Sequence, residues 1–340
     1  MKVPEPRRLK SGTWFIQLRL GGESIPVSAP TRLECIHAAE TIKSDYRSGR
    51  RIKNVTSDMT LSQAIDKYIT ARQNSLSPST IRGYTIIQKN RFQKFMDVPI
   101  SEINDWQAVY DSEVGRLNGK TLKSSWALIK SVYKEQTGKQ LPEVSMVPVV
   151  RSERPYLDPE EINRFLDAVK GEKCEIGALL ALSSLRCSEI LALTWDKVDI
   201  KHSRILVAGA VVPNKDNKYV SKPTNKTDSS RRYVPIFIPQ LTFALQKAEK
   251  ASEKVIPYQT ESGLLRAING VCEGAGLPPV GVHGLRHSFA SLCVHLGIPE
   301  ETAMSIGGWS DFTTMRKIYT HVSQRDQQKH TAALSRFFAN

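Results

Sequence analysis

His283-Gly284-Leu285-Arg286-His287 is the stretch on which the reading of this chain turns. Spacings of three and four put both imidazoles and the guanidinium on one side of a helix. The same shape suits a two-histidine zinc site. With Gly284 and Leu285 following His283, however, the catalytic glutamate of the metalloprotease pattern is missing, and no metal is expected.

Two further clusters lie outward from it. Upstream, Leu182-Ser183-Ser184-Leu185-Arg186-Cys187-Ser188-Glu189-Ile190-Leu191-Ala192-Leu193 places Arg186 and Glu189 three apart on one helical face within an apolar stretch, the spacing of a structural ion pair. Downstream, Ile306-Gly307-Gly308-Trp309-Ser310 is followed, ten residues after the tryptophan, by Tyr319-Thr320-His321. Taken singly, each aromatic reads as core or surface. In this order the clusters supply another chemistry. Two arginines clamp the nonbridging oxygens of a phosphodiester, a histidine positions or exchanges a proton, and a tyrosine attacks phosphorus.

That ordered set resembles the tyrosine recombinase family, the lambda-integrase-like enzymes of phages and mobile elements, by motif over residues 155–340. Its hallmark is Arg, Glu or Asp, Lys, His-x-x-Arg, His or Trp, and Tyr. Arg186 matches the first arginine, Glu189 the acidic residue, and His283 with Arg286 the His-x-x-Arg pair. His287 falls where many members have a second histidine. Trp309 matches the His-or-Trp position, and Tyr319 the nucleophile, 134 residues from Arg186 counting both ends. The family lysine sits in a turn between two strands. The run Asn225-Lys226-Thr227-Asp228-Ser229-Ser230-Arg231-Arg232-Tyr233-Val234-Pro235 resembles that turn and assigns it to Lys226, with Lys218 and Lys222 close by. Ser184 stands where the motif usually has glycine before Leu-Arg.

The resemblance implies a site-specific recombinase that cuts and rejoins DNA through a 3′-phosphotyrosyl link, with no cofactor and no metal. Tyr319, with an ordinary pKa of about 10, must lose its proton during attack or be surrounded by positive charge, which Arg186 and Arg286 supply. They also stabilise the pentacoordinate phosphorane. Lys226 is the candidate general acid for the departing 5′ oxygen. His283 assists proton transfer, Glu189 orients His283 or Arg186, and Trp309 packs against, or donates its indole N–H toward, the phosphate and tyrosine.

The expected fold is mainly α with small β elements, an α+β multidomain chain. Trp14–Leu20 and Ser24–Val27 alternate as a hairpin around Gly21-Gly22, and Thr31-Arg32-Leu33-Glu34 opens a helix in capping-box form. Residues 1–57 hold 11 Lys/Arg against 5 Asp/Glu, and they are similar to the small three-stranded arm-binding domain of integrases. Residues 58–141 follow a helical period and resemble the core-binding domain. One helix is expected from Ser77 through Phe95 and another over 117–133, with Arg82, Lys89, Lys120, Lys123 and Lys130 on basic faces proposed to grip DNA. Pro142 and Pro148 mark residues 142–154 as a linker, and a mixed helical catalytic domain with a small sheet fills 155–340, opening at the N-cap Asp158. Its strand-like runs are Arg204–Val212 and Arg232–Ile238.

The charge balance supports a polyanionic partner. The 340 residues carry 48 Lys and Arg against 34 Asp and Glu, a formal charge of +14. Five cysteines show no metal-ligand spacing and read as reduced thiols. No secretory leader or membrane span is expected, so the chain is placed in the bacterial cytoplasm, associated with the nucleoid. The resemblance implies as partners double-stranded DNA attachment sites, an accessory bending or excision factor, and further copies of the chain: a monomer in solution and a homotetramer in the synaptic complex, with Leu334, Phe337 and Phe338 forming either a docking patch for a neighbouring copy or the closure of the chain's own core. Two alternatives remain open, a type IB topoisomerase and a catalytically idle DNA-binding regulator.

Overall fold

The computed structural model describes residues 3–9, 12–20, 23–47, 59–149, 155–222, 231–309, 331, 335–336 and 338. The chain divides into two compact units, Met1–Thr70 with Ile87–Pro148, and Ala71–Ile86 with Val149–Asn340.

The first unit opens with an antiparallel sheet of β1 (Arg7–Arg8), β2 (Trp14–Leu20) and β3 (Glu23–Ala29) in that order. Period-two alternation turns Ile16, Leu18, Leu20, Ile25 and Val27 inward, onto Cys35 and Ala39 of α1 (Arg32–Arg47). The predicted capping box forms at that helix. Glu34 N–H donates to Thr31 Oγ1 at 3.3 Å, and Thr31 N–H to Glu34 Oε2 at 3.2 Å. β1 adds a third strand to the predicted hairpin. Two residues offer no periodicity to read, and pairing defines it instead, with Arg7 opposite Phe15 and its guanidinium 5.0 Å from that ring.

A helical set follows: α2 (Leu61–Ala71), α3 (Pro78–Asn90), α4 (Gln93–Met96), α5 (Trp106–Asp111) and α6 (Gly119–Thr137). Trp126 centres its core, with Tyr110, Phe92 and Trp106 at 5.3, 6.0 and 6.4 Å between ring centroids. The helix expected from Ser77 through Phe95 is in fact broken. Phe92 takes a left-handed φ of 53°, and its N–H donates to buried Glu113 Oε1 at 2.6 Å, so the backbone group is satisfied outside any helix. Likewise α6 starts later than Leu117, where Asn118 Oδ1 caps Thr121 N–H at 2.9 Å.

In the second unit α7 (Pro159–Val169) starts as the sequence indicates. Asp158 Oδ1 accepts from Glu161 N–H at 2.8 Å and Glu161 Oε2 from Asp158 N–H at 2.9 Å. α8 (Glu175–Leu182) is apolar all round and packs against later helices, so it forms the centre of the core. There follow α9 (Cys187–Ala192), β4 (Val198–Asp199), β5 (Arg204–Val207), β6 (Ala210–Pro213), β7 (Tyr219–Lys222) and β8 (Arg232–Pro235). Helices α10 (Pro239–Lys247), α11 (Glu261–Gly274), α12 (Gly281–His295) and α13 (Glu300–Gly307) complete it. The expected strand Arg204–Val212 is two strands. It breaks at Ala208-Gly209, so that β5 joins the sheet β4-β5-β8 while β6 pairs with β7, a strand inside the lysine-rich segment. Burial explains the split: Ile205 and Val207 of β5 enter the core, whereas β6 is half-buried throughout. All five cysteines are free and buried. Among the described residues no helix is long and apolar enough to cross a membrane.

Candidate active site

The turn between α8 and α9 builds the first half of the site. α8 ends at Leu182, and Ser184 then takes a left-handed φ of 76°, which redirects the chain so that Arg186 becomes the residue capping α9. Arg186 therefore lies at a helix start rather than within a helix, and its i,i+3 relation to Glu189 survives as the relation of cap to first turn. Glu189 Oε2 accepts from the Arg186 backbone N–H at 2.8 Å, and Oε1 from Arg186 Nη1 at 2.9 Å. The second guanidinium nitrogen, Nη2, donates to the Gly308 carbonyl at 2.8 Å.

Helix α12 supplies the other half. Arg286 is only 6% exposed; Nη1 donates to the Ser184 carbonyl, and Cζ lies 4.1 Å from the centroid of the Trp309 ring. Trp309 in turn stacks on Phe289, 6.1 Å apart and 8° from parallel. Burial, and then neighbouring Arg186, pull the Arg286 guanidinium down to about 9, so it remains charged at neutral pH. An anion bound beside it offsets that repulsion.

Left-handed backbone at a non-glycine residue costs about 1–2 kcal/mol. The Ser184 Oγ is also buried without a hydrogen-bond partner. Ser184→Gly is therefore expected to stabilise the fold by about 1 kcal/mol once the added freedom of the unfolded chain is subtracted. Thermal denaturation checks this: Tm rises with glycine, and a lower Tm contradicts the strain assignment.

Arg232 was not among the residues expected here. Its Nη1 and Nη2 donate to Glu189 Oε1 and Oε2, both at 2.9 Å, so three guanidinium groups gather around one carboxylate. Burial pushes the Glu189 carboxyl up, but Arg232 and then Arg186 outweigh it and hold it below the usual carboxylate value. One signal was readable: Arg232 is two residues from buried Val234 in β8, which makes it a charge on the inward face of a strand.

Of the expected residues, Arg186, Glu189, Arg286 and Trp309 come together. Glu189 is hydrogen-bonded to Arg186. His283 is exposed, on the same face of α12 as Arg286, while the His287 ring packs tilted against Tyr156, 4.9 Å between centroids. Lys218 and Lys222 are exposed. Lys226, Tyr319, Leu334 and Phe337 lie outside the described residues, and Phe338 is exposed. Lys89, Lys120, Lys123 and Lys130 are exposed, whereas half-buried Arg82 donates from Nε to Asn217 Oδ1 at 2.8 Å. Among the described residues no group of three His, Cys, Asp or Glu is placed to hold a metal. The arrangement suits an anion with two nonbridging oxygens, presented to guanidinium donors held over buried Glu189 and Arg286.

Comparison with known proteins agrees in kind. The phage integrase family pattern matches residues 155–326. A XerC-like tyrosine recombinase of Caldanaerobacter subterraneus subsp. tengcongensis is 28% identical over 218 residues, 56% of this chain and 56% of that protein. The ICEBs1 integrase of Bacillus subtilis (strain 168) is 23% identical across 95% of this chain and 97% of its own length. The match thus spans about half of the first relative and nearly all of the second. Among solved structures, the Tn1549 transposon integrase in complex with circular intermediate DNA superposes with a TM-score of 0.65 at 19% identity, covering 81% of this chain and 100% of that one.

Proposed function

The chain belongs to the phage integrase family, and on that premise we propose that it is a site-specific tyrosine recombinase, which cuts and rejoins double-stranded DNA to integrate or excise a mobile element. The observation that carries the reading is the pairing of Arg186 and Arg286. Two guanidiniums from distant parts of the sequence meet around the turn at Ser184 and the Gly308-Trp309 segment, each oriented by protein contacts before any DNA arrives. Such preorganised charge stabilises the phosphorane without reorganising during the reaction.

In this reading Tyr319 attacks the scissile phosphate while Arg186 and Arg286 hold its nonbridging oxygens. Lys226 gives a proton to the departing 5′ oxygen, His283 assists proton transfer, and the resulting 3′-phosphotyrosyl bond keeps the phosphoester energy for religation. The reaction conserves the number of phosphoester bonds, so neither metal nor nucleotide is needed to drive it. Lys89, Lys120, Lys123, Lys130 and Arg82, all within residues 58–141, are proposed to contact the duplex backbone. The working assembly is proposed to be a tetramer on two attachment sites, aided by an accessory DNA-bending or excision factor. Acting on chromosomal DNA, it would work in the bacterial cytoplasm at the nucleoid.

Nicked suicide duplexes, tiled across DNA flanking the coding sequence, test the proposal by trapping a covalent adduct. Their failure to trap any adduct contradicts it. Deleting residues 1–57 divides the labour further. If they recognise arm sites, the truncated protein traps core DNA at a nearly unchanged rate but fails to join two complete attachment sites. The isolated segment has a small core of its own and binds one flanking sequence, with affinity falling steeply as salt rises. Equal binding to random duplex reduces it to a nonspecific basic tail, and loss of cleavage places it in the catalytic clamp.

A further inference from the structure

The geometry points to Arg232 as the residue that keeps Glu189 from capturing Arg186, so that Arg186 stays available to the scissile phosphate. This rests on the recombinase reading above and adds a positioning residue to it. An ionised carboxylate offers about four lone-pair positions. At Glu189 the contacts fill them: Oε1 receives Arg186 Nη1 and Arg232 Nη1, both at 2.9 Å. Oε2 receives the Arg186 backbone N–H at 2.8 Å and Arg232 Nη2 at 2.9 Å. Arg232 makes the fork, the stronger form of the pair, and Arg186 is left a single side-chain bond.

The difference shows in exposure. The Arg186 side chain is 42% exposed, against 11% for Arg232 and 9% for Glu189. Arg232 is committed to the interior, and Arg186 keeps donors facing outward. Its remaining contact, Nη2 to the Gly308 carbonyl, ties it to the segment that carries Trp309. Arg232 also packs on that segment. Gly308 has a φ of 63°, and a Cβ there would fall 2.8 Å from Arg232 Cδ and closer still to the guanidinium. One side chain thus braces β8, the start of α9 and the end of α13 together.

Without Arg232, a buried carboxylate would lose two donors and a neighbouring charge. Arg186 is the nearest group able to replace them, by rotating into a fork on Glu189 and leaving Gly308. The phosphate then loses a ligand although no catalytic residue has been changed.

Arg232→Met keeps the shaft and removes the fork, while Arg232→Lys keeps the charge alone. Cleavage is measured at saturating protein on duplexes carrying either a phosphodiester or a methylphosphonate at the cleavage point mapped with unaltered protein. We expect Arg232→Met to cut the phosphodiester at least about 30-fold more slowly, since misplacing a positioned group by an ångström costs up to about 100-fold. Arg232→Lys falls between. On the methylphosphonate, which lacks the charged oxygen that Arg186 neutralises, the deficit shrinks to about threefold or less. Adding Glu189→Gln to Arg232→Met restores part of the rate, because a neutral amide does not draw Arg186 in. An unchanged rate, or equal loss on both substrates, overturns the role. The crystal structure of the Arg232→Met protein reads it without the reaction: Arg186 forked on Glu189 supports it, and Arg186 still bound to Gly308 overturns it. Should the unaltered protein cut no DNA, the recombinase reading fails by itself, and this structure still decides the role of Arg232.

Discussion

Tyr319→Phe eliminates covalent capture of DNA while leaving affinity for the duplex nearly unchanged. The substitution removes one oxygen and keeps the ring, so the proposed arginine contacts to phosphate should persist. The step that needs a nucleophile does not. Loss of such a group, acting with its partners as a unit, is expected to lower cleavage by at least about 10⁴-fold. A suicide duplex, nicked so that the freed strand diffuses away, reports it as loss of the slow-migrating adduct on a denaturing gel. Tyr258 is the informative control. Burial, then Cys174 and Glu172, push its hydroxyl pKa up, the reverse of what an attacking oxygen requires. Capture by the Phe variant would refute the assignment.

Lys226→Ala carries the second large effect, slowing cleavage by about 10²–10⁴-fold, the usual contribution of a positioned general acid. A 5′-bridging phosphorothiolate separates this role from a binding role. Sulfur leaves without a proton, so the variant regains most of its rate on that substrate, whereas a variant that merely loses phosphate affinity stays slow. Lys218→Ala and Lys222→Ala should show neither the defect nor the rescue. Lys222 closes β7 opposite Ala210 and Lys218 lies just before that strand, both exposed, so either can be removed without opening the core. Rescue of one of them instead moves the acid to that position.

How much of this was legible in the sequence depends on how local each signal is. Asp158 with Glu161, Thr31 with Glu34, and the spacing of His283 and Arg286 are set within one helical turn, and the structure reproduces each. Period-two alternation likewise placed the inward residues of β2 and β3. What escaped were features decided by distant partners. The helix break at Phe92 depends on a carboxylate 21 residues away, at Glu113. The division of Arg204–Val212 depends on which strand each half pairs with.

The site follows the same rule. Arg186 and Glu189 were found as a pair because three residues separate them, although a left-handed Ser184 puts them at a helix start rather than along a helix. Arg232 is 43 residues from Glu189, and only the inward phase of β8 hinted at it. The cation–π contact of Arg286 with Trp309 joins α12 to the end of α13, and no spacing rule foretells it. Motif order therefore pointed to the two arginines, while the arrangement that brings them together emerged only from packing.

Mass spectrometry of the trapped adduct decides most directly whether the arginine cluster serves a tyrosine nucleophile. After nuclease trimming and trypsin, the nucleotide mass should sit on the peptide Ile318-Tyr319-Thr320-His321-Val322-Ser323-Gln324-Arg325, with fragmentation placing it on Tyr319. A nucleotide on any other residue, or cleaved DNA bearing a free 3′ phosphate or hydroxyl with no protein attached, would contradict the account.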